Sequence, residues 1–178
     1  MNYVSVKKRL MKTGAMSLYF KYTCMETTIR FKTKLNISSP SFKQEGLIPR
    51  TYTCEGSNVN PPLVIESIPE ETLSLALIMD DPDAPGGTFD HWVVWNIPPV
   101  KSIPENSNPG LEGMNSMGEL GYTGPCPPSG THRYFFKVYA VDVLLDTQKG
   151  ATKEKVEFAL QDHTIAYGEL IGLYKKKN

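Results

Sequence analysis

Three short apolar runs, each closed by proline, glycine or charged residues, restrict this chain to a fold built largely from β-strands. The runs are Leu73–Met79, Trp92–Ile97 and Tyr134–Val141, and the third is rich in aromatic and β-branched residues. Runs this short fit a buried strand of a sandwich, because helices usually extend over about ten or more residues. The 14 glycines and 14 prolines agree with a chain that turns often.

Further segments extend this pattern toward the N-terminal side. Residues 28–37 alternate apolar and polar side chains with a period of two, which predicts a half-buried strand that begins at Thr28. Residues 47–54 indicate a second extended segment, and Leu63–Ile65 a short strand. The polar, glycine-rich stretch 101–121 is predicted to be a long surface connection.

Only the C-terminal part of the chain has a helical pattern. Thr152 is suited to cap a helix that carries Val156 and Leu160 four residues apart. Ile165–Tyr174 is predicted to form a second helix. Strands followed by helices indicate an antiparallel β-sandwich with short C-terminal helices, in a single domain that spans residues 28–178.

Residues 1–27 differ from the rest of the chain. They carry the basic cluster Lys7–Arg9 and a short uncharged stretch, which is too short to span a membrane and is followed by no small-residue cleavage site. We expect a poorly ordered tail, or a segment upstream of a second start at Met25. We therefore favour a cytoplasmic protein, with export as the alternative.

Charge and cysteine content exclude some classes of function. The 19 basic and 19 acidic side chains balance, so the chain lacks the basic excess that nucleic-acid binding requires. Its three cysteines, Cys24, Cys54 and Cys126, are too few for a disulfide scaffold and too widely spaced for a zinc motif. A Cys54–Cys126 bridge remains open, but we expect all three thiols to be reduced.

The segment Asp80–Pro85 places carboxylates and prolines directly after the first apolar run. Pro82 favours an extended conformation at Asp81, so Asp81 and Asp83 are predicted to point the same way, with His91 within reach. A carboxylate hydrogen-bonded to an imidazole fixes its tautomer and favours the imidazolium, which attracts anions. The simpler interpretation is an Asp-Pro turn without a ligand.

The segment Gly124–Tyr134 is a second proline-stiffened loop that leads into the third apolar run. Because successive side chains of a strand alternate, His132 and Tyr134 are predicted to share one face, with Arg133 on the other. An imidazole and a phenol together can donate hydrogen bonds to an oxyanion. Gly124 would let the backbone approach a ligand or adopt a conformation that other residues avoid. The simpler interpretation is a rigid turn before a core strand.

Other chemistries find less support. Two aspartates and two histidines could ligate a metal, but no helical histidine pair or compact Cys/His spacing is present, so we expect no metal and no cofactor. No Gly-x-Ser-x-Gly motif accompanies Ser129, and Cys126 lies between prolines without a helix N-terminus to stabilise a thiolate. The sequence also has no P-loop and no dinucleotide-binding fingerprint. None of these motifs therefore indicates a catalytic site.

The two loops resemble the signature regions of the phosphatidylethanolamine-binding protein (PEBP) family, which includes the animal Raf kinase inhibitor protein and plant flowering regulators. The resemblance rests on Asp81–Pro85 with His91–Trp92, and on the motif Gly-Pro-x-Pro-Pro-x-Gly-x-His-Arg-Tyr at 124–134. It extends over residues 28–174. The short connection from Pro85 to His91 is similar to the bacterial and archaeal branch.

This resemblance implies a Greek-key β-sandwich with a shallow, pre-formed anion pocket where both loops meet. The family pocket holds phosphate-like anions and phospho-head groups. Carried over by position, six residues would line it: Asp81, Asp83, His91, Gly124, His132 and Tyr134. A cis proline is frequent in the first motif, which makes Ala84–Pro85 a candidate. The pair Tyr167–Gly168 departs from the alanine-rich helix expected there, since glycine weakens a helix by up to about 1 kcal/mol.

Together these features predict a non-enzymatic protein that binds a phosphate-bearing small molecule, a phospholipid head group or a phosphorylated partner. The alternative is a protein-interaction module that inhibits a kinase or protease through surface loops such as 101–121, and a hydrolase or metalloenzyme comes third. Bacterial relatives are compatible with a homodimer. No amphipathic basic helix or lipidation signal predicts stable membrane insertion.

Overall fold

The computed structural model describes residues 33–176, and in that range ten strands and one α-helix are present. The strands are β1 (Thr33–Lys34), β2 (Asn36–Ser38), β3 (Gly46–Leu47), β4 (Leu63–Glu66), β5 (Ser74–Asp81), β6 (Phe89–Ile97), β7 (Ser102–Ile103), β8 (Leu111–Glu112), β9 (His132–Val141) and β10 (Thr164–Tyr174). Helix α1 spans Lys153–Leu160, and a 3₁₀ turn occupies Arg50–Tyr52.

The strands form two sheets. The larger has the order β1-β10-β9-β5-β6-β8, with β3 also paired to β10, and the smaller has the order β2-β4-β7. All pairings are antiparallel except those of β1 and β3, which run parallel to β10. The predicted β-sandwich, mainly β and dominated by antiparallel pairing, is confirmed. The two parallel pairings at β10 were not foreseen.

The main core lies between the two sheets. Leu63 of the smaller sheet belongs to the same buried cluster as Trp92 and Phe136 of the larger sheet. A second, smaller core lies on the other face of the larger sheet, where Val156 of α1 packs in one cluster with Trp95. Trp92 and Trp95 thus lie on opposite faces of β6, as the alternation of a strand predicts.

The three apolar runs become the central strands β5, β6 and β9, and each strand is longer than its run. Since β5 runs antiparallel to both neighbours, its last residues lie beside the first residues of β6 and β9. Asp81 ends β5, His91 is near the start of β6 and His132 begins β9. Sheet topology therefore brings these three residues to one edge.

The segment Ile165–Tyr174 is a strand, so its predicted helix is wrong. In β10 the even-numbered residues from Ala166 to Tyr174 are buried, a period of two that small residues conceal in the sequence. Gly168 allows the closest approach, because a Cβ there would lie 2.3 Å from the Leu35 carbonyl oxygen. Helix α1 is as predicted, although Thr152 at its N-cap position makes no side-chain capping bond to the backbone.

Other expectations need smaller corrections. The segment 47–54 is not extended throughout, because a 3₁₀ turn occupies Arg50–Tyr52, and 101–121 contains two short strands. Every peptide bond in the described part of the chain is trans, including Ala84–Pro85. No helix within residues 33–176 is long and apolar enough to cross a membrane. The predicted tail at 1–27 and the start of the first strand at 28–32 lie outside the described residues.

Candidate functional site

A cavity of about 250 Å³ lies where the end of β5, the start of β6 and the loop before β9 meet. Its wall is mostly apolar with a few polar groups, as is common for small-molecule sites. The lining residues are Asp81, Ala84, Pro85, Phe89, His91, Met117, Thr123, Gly124, Cys126, Pro127, Pro128 and His132. They include no lysine or arginine, so any positive charge at the wall comes from a histidine.

A larger and more open depression of about 690 Å³ lies between residues 146–151 and α1. The residues that line it include no histidine, and their two carboxylates, Asp146 and Glu154, are exposed. Because this surface holds no buried polar group that could fix a ligand, the smaller cavity is the better candidate site.

His132 is held by Asp81. Its Nδ1 atom lies 2.7 Å from Oδ2 of Asp81, and both side chains are largely buried, with 9% and 5% of their surfaces exposed. The other oxygen of Asp81 accepts a hydrogen bond from the backbone N–H of Asp83 at 2.8 Å. The carboxylate therefore fixes the hydrogen of His132 on Nδ1 and leaves Nε2 as the ring atom available to a ligand.

His91 is held by the backbone of the second loop. Its Nδ1 lies 2.7 Å from the carbonyl oxygen of Thr123, which can only accept, so Nδ1 carries a hydrogen. Burial lowers the pKa of His91 and outweighs the Thr123 hydrogen bond and the nearby aspartates, which act in the opposite direction. His91 is thus neutral near pH 7, and its Nε2 is an acceptor.

Tyr134 lies behind His91 rather than on the cavity wall. The two rings meet edge to face, with centroids 5.2 Å apart, and Tyr134 is fully buried. Its hydroxyl has no partner of good hydrogen-bond geometry among the described residues. Burial, and next the Asp81 carboxylate, raise the pKa of this phenol. The expected pairing of His132 and Tyr134 on one face, with Arg133 exposed on the other, is observed.

Asp83 points away from the cavity. Its carboxylate accepts hydrogen bonds from Nε and Nη2 of Arg133, at 2.9 and 2.8 Å, and from the Arg133 backbone N–H. The Arg133 hydrogen bonds lower the pKa of Asp83 to about 2. The expectation that Asp81 and Asp83 point the same way is not met, because Asp83 clamps its loop to the start of β9.

Gly124 is part of the cavity wall, but its missing side chain is explained by packing. A Cβ at Gly124 would lie 2.5 Å from the carbonyl oxygen of Tyr52 and 2.7 Å from Oδ1 of Asn58. Its N–H donates to that Asn58 oxygen at 2.7 Å. The glycine lets the second loop lie against residues 52–58, and its φ is not in the left-handed region.

Cys54 and Cys126 form a disulfide, so the expectation that both are reduced is wrong. They are 72 residues apart in sequence, and their Cα atoms lie 5.4 Å apart. Both residues are exposed, and Cys126 contributes to the cavity wall. Within the described residues, no group of three or more histidine, cysteine or acidic side chains has an arrangement suited to a metal ion.

Sequence reasoning missed several residues of the wall. Phe89 packs on His91, with ring centroids 4.7 Å apart, and Met117 comes from the long 101–121 connection. Nothing in the local sequence marks these two side chains as site residues. The role of Thr123 comes from its backbone carbonyl, which a side-chain pattern cannot reveal. Pro127 and Pro128 belong to the second signature motif, but the sequence indicates only that they stiffen the loop.

The family model of the phosphatidylethanolamine-binding proteins matches residues 38–175. The chain belongs to the PEBP family. The match covers β3 to β10 and thus every strand that carries the site. The resemblance inferred from the two loops is confirmed.

Relatives of this PEBP-family chain come from archaea and bacteria. A UPF0098 protein of Pyrococcus abyssi is 51% identical over 150 residues, which cover 78% of this chain and 84% of that protein. A UPF0098 protein of Methanothermobacter thermautotrophicus is 47% identical over 150 residues, with 80% and 99% covered. These similarities agree with the bacterial and archaeal branch.

Two solved structures share the PEBP fold of this chain. A PEBP homologue from Chlamydia trachomatis superimposes with a TM-score of 0.79 at 40% identity, covering 81% of this chain and 99% of that one. YbcL of Escherichia coli, described as a new member of the mammalian PEBP family, gives 0.75 at 30% identity, with 82% and 100% covered. The family name describes binding, and none of these names states a reaction.

Proposed function

We propose that this PEBP-family protein is a non-enzymatic binding protein whose cavity takes a small phosphate-like anion. The anion would be carried by a small molecule, a phospholipid head group or a phosphorylated partner. The observation that supports this most is the buried 2.7 Å contact between His132 and Asp81 at the wall of an otherwise apolar cavity. A buried polar pair in such a wall provides a fixed anchor for a polar ligand.

The two histidines offer complementary hydrogen bonds. The neutral His91 presents Nε2 as an acceptor, because Nδ1 is bonded to Thr123. His132, with Asp81 at Nδ1, can donate from Nε2 when it is protonated. A singly protonated phosphate has both an O–H and anionic oxygens, so one group can satisfy both rings. The Asp81 carboxylate disfavours a doubly charged phosphate in the same space.

The apolar wall is suited to the organic part of the ligand. Phe89, Met117, Pro127 and Pro128 lie around the two histidines. Because no lysine or arginine lines the cavity, inorganic phosphate lacks the strong ion pairs that give tight anion binding. We therefore expect phosphate esters to bind more tightly than inorganic phosphate.

Thermal unfolding tests this proposal, with phosphoethanolamine and inorganic phosphate as probes. A ligand at about 100 times its dissociation constant stabilises the folded protein by roughly 2.7 kcal/mol. We expect both probes to raise the Tm of the wild type and to have little effect on His132→Gln. Asp83→Asn is the matched control, since Asp83 lies outside the cavity wall and should leave the shift intact. No shift of the wild type at millimolar probe would refute the proposal.

A second candidate function, docking of a partner protein such as a kinase or protease, is favoured by the rim of the cavity. Met117 lines the cavity with 63% of its surface exposed, and Met114 and Leu120 of the same connection are 42% and 48% exposed. Exposed methionines are adaptable contacts in protein interfaces. Met114→Ser should weaken capture of such a partner and leave the phosphoethanolamine shift unchanged, because Met114 is not part of the cavity wall.

A further inference from the structure

The Cys54–Cys126 disulfide occupies an unusual position for a structural crosslink. Both residues are exposed to solvent, and one of them forms part of the cavity wall. A disulfide that solvent can reach is open to attack by an external thiolate, whereas buried structural disulfides resist reduction. This bond therefore lies where redox chemistry and the candidate ligand site meet.

The crosslinked loop is held unevenly along its length. Residues 122–125 are tied to the segment 52–58 by three hydrogen bonds: Tyr122 Oη to the Tyr52 carbonyl at 2.7 Å, Gly124 N to Asn58 Oδ1 at 2.7 Å, and Cys54 N to the Pro125 carbonyl at 3.1 Å. Beyond this point the loop has few anchors.

The second half of the loop, residues 126–131, makes no hydrogen bond to another described residue. It is fixed by the disulfide at one end and by His132 with Arg133 at the other, and of its residues only Pro127 is buried. Pro127 and Pro128, which lie next to the disulfide, are both part of the cavity wall. The disulfide is thus the crosslink that ties this part of the wall to the segment 52–58.

We propose that Cys54–Cys126 is a thiol–disulfide exchange site at which a dithiol reductant controls the ligand affinity of the cavity. This inference rests on the proposed function of the cavity. The regulation acts on the same site through the disulfide and requires neither histidine. A dithiol is the chemical class of the reductant, and the cytoplasm, our proposed compartment, contains such dithiols.

The exchange balances without any further reactant. One thiolate of the dithiol attacks a sulfur of the disulfide, breaks the S–S bond and forms a mixed disulfide, releasing the other cysteine as a thiolate that takes up a proton. The second thiol of the reductant then attacks the mixed disulfide and releases the remaining cysteine. The dithiol loses two electrons and two protons, and the protein gains two thiols.

Reduction lowers affinity because the wall at Cys126–Pro128 no longer has one fixed position. A ligand that binds only the closed arrangement has its apparent affinity reduced by the fraction of molecules in that arrangement. If the reduced loop is closed about one-tenth of the time, the dissociation constant rises about tenfold. Reoxidation to the disulfide restores the dissociation constant of the oxidised protein.

The experiment is calorimetric titration of the full chain with phosphoethanolamine, before and after reduction with dithiothreitol. A Cys24→Ser background prevents exchange with the third cysteine. We expect about tenfold weaker binding after reduction and recovery after reoxidation. Cys54→Ser in the same background is the second variant, because Cys54 lies outside the cavity wall. It should bind as the reduced protein does, with or without dithiothreitol.

The outcomes separate the two proposals. Equal affinity in the oxidised and reduced proteins, with intact His132-dependent binding, would overturn the redox inference and leave the proposed function standing. Absence of binding to the oxidised protein would overturn the proposed function, and the inference with it. If Cys54→Ser does not unfold cooperatively, the reduced Cys24→Ser protein alone decides.

Discussion

Nδ1 of His132 lies 2.7 Å from Oδ2 of Asp81, although the two residues are 51 positions apart in the sequence. The contact forms because β5 ends beside the start of β9. It joins the two signature loops and orients the imidazole that faces a ligand. A buried hydrogen bond to a charged group contributes about 1.5–3 kcal/mol, so the same contact supports both the fold and the site.

Asp81→Asn should weaken phosphoethanolamine binding by about tenfold or more, because a neutral amide replaces the charged acceptor that holds the His132 ring in place. Asp83→Asn should bind close to wild type, since the Asp83 carboxylate is paired with Arg133 outside the cavity. Calorimetric titration of both variants at one pH measures the difference. A similar loss in the two variants would mean that Asp83 also contributes to the site.

His91 should make the free protein less stable under mildly acidic conditions. Burial lowers the pKa of His91, so between that pKa and the ordinary value of 6.5 the unfolded chain binds a proton that the folded chain does not. The contribution of neutral His91 to the free energy of unfolding is therefore fully present above about pH 6.5 and falls as the pH decreases below it. Urea unfolding of the wild type from pH 7.5 to 5 should show this fall, and His91→Asn should show a shallower one. Parallel curves would contradict the burial of a neutral His91.

The Asp83–Arg133 pair should make the free energy of unfolding depend on pH only under strongly acidic conditions. The pKa of Asp83 falls from its ordinary value of 3.8 to about 2, so the pair stabilises the fold above about pH 4 and this contribution is lost between pH 4 and pH 2. Arg133 is 53% exposed, so solvent screens the pair and its contribution is small. Urea unfolding of Asp83→Asn at pH 6 should show a small loss of stability. The difference from wild type should disappear near pH 2.

Gly168→Ala should destabilise the protein by about 1–3 kcal/mol through overpacking. The new Cβ would lie 2.3 Å from the backbone oxygen of Leu35, which cannot move without disturbing the chain beside β10. Gly86→Ala is the control, because a Cβ at Gly86 meets nothing within 4 Å. Urea midpoints of both variants provide the measurement. Equal midpoints would mean that Gly168 and Leu35 are less closely packed than this 2.3 Å approach indicates.

The strands that carry the site were predictable because their signal is local. Runs of large apolar residues marked β5, β6 and β9, and the polar residues at their ends marked the loops. The strand β10 was missed since two glycines and an alanine occupy its buried face, where period-two patterns normally show large side chains. Glycine is costly in helices, so Gly168 and Gly172 were themselves evidence against the predicted helix.

Within the site, local sequence could not separate residues whose roles depend on distant partners. Asp81 and Asp83 have similar surroundings in sequence, yet one pairs with a buried histidine and the other with an exposed arginine. The Cys54–Cys126 disulfide was missed for the same reason, because a separation of 72 residues in sequence does not indicate how close two cysteines are in space. Met117 lines the cavity because the 101–121 connection folds back over it, and no local sequence pattern indicates this contact.

The position of β10 inside the larger sheet has a consequence for synthesis on the ribosome. β1 and β3 pair with a strand that emerges about 130 residues after β1. Until it does, the aromatic-rich strand β9 has one unpaired edge, and β1 and β3 have no partner in this sheet. Pairings this distant in sequence slow folding, and an open apolar edge promotes aggregation. In a nascent chain of this protein, that edge of β9 therefore stays open to self-association until β10 is translated.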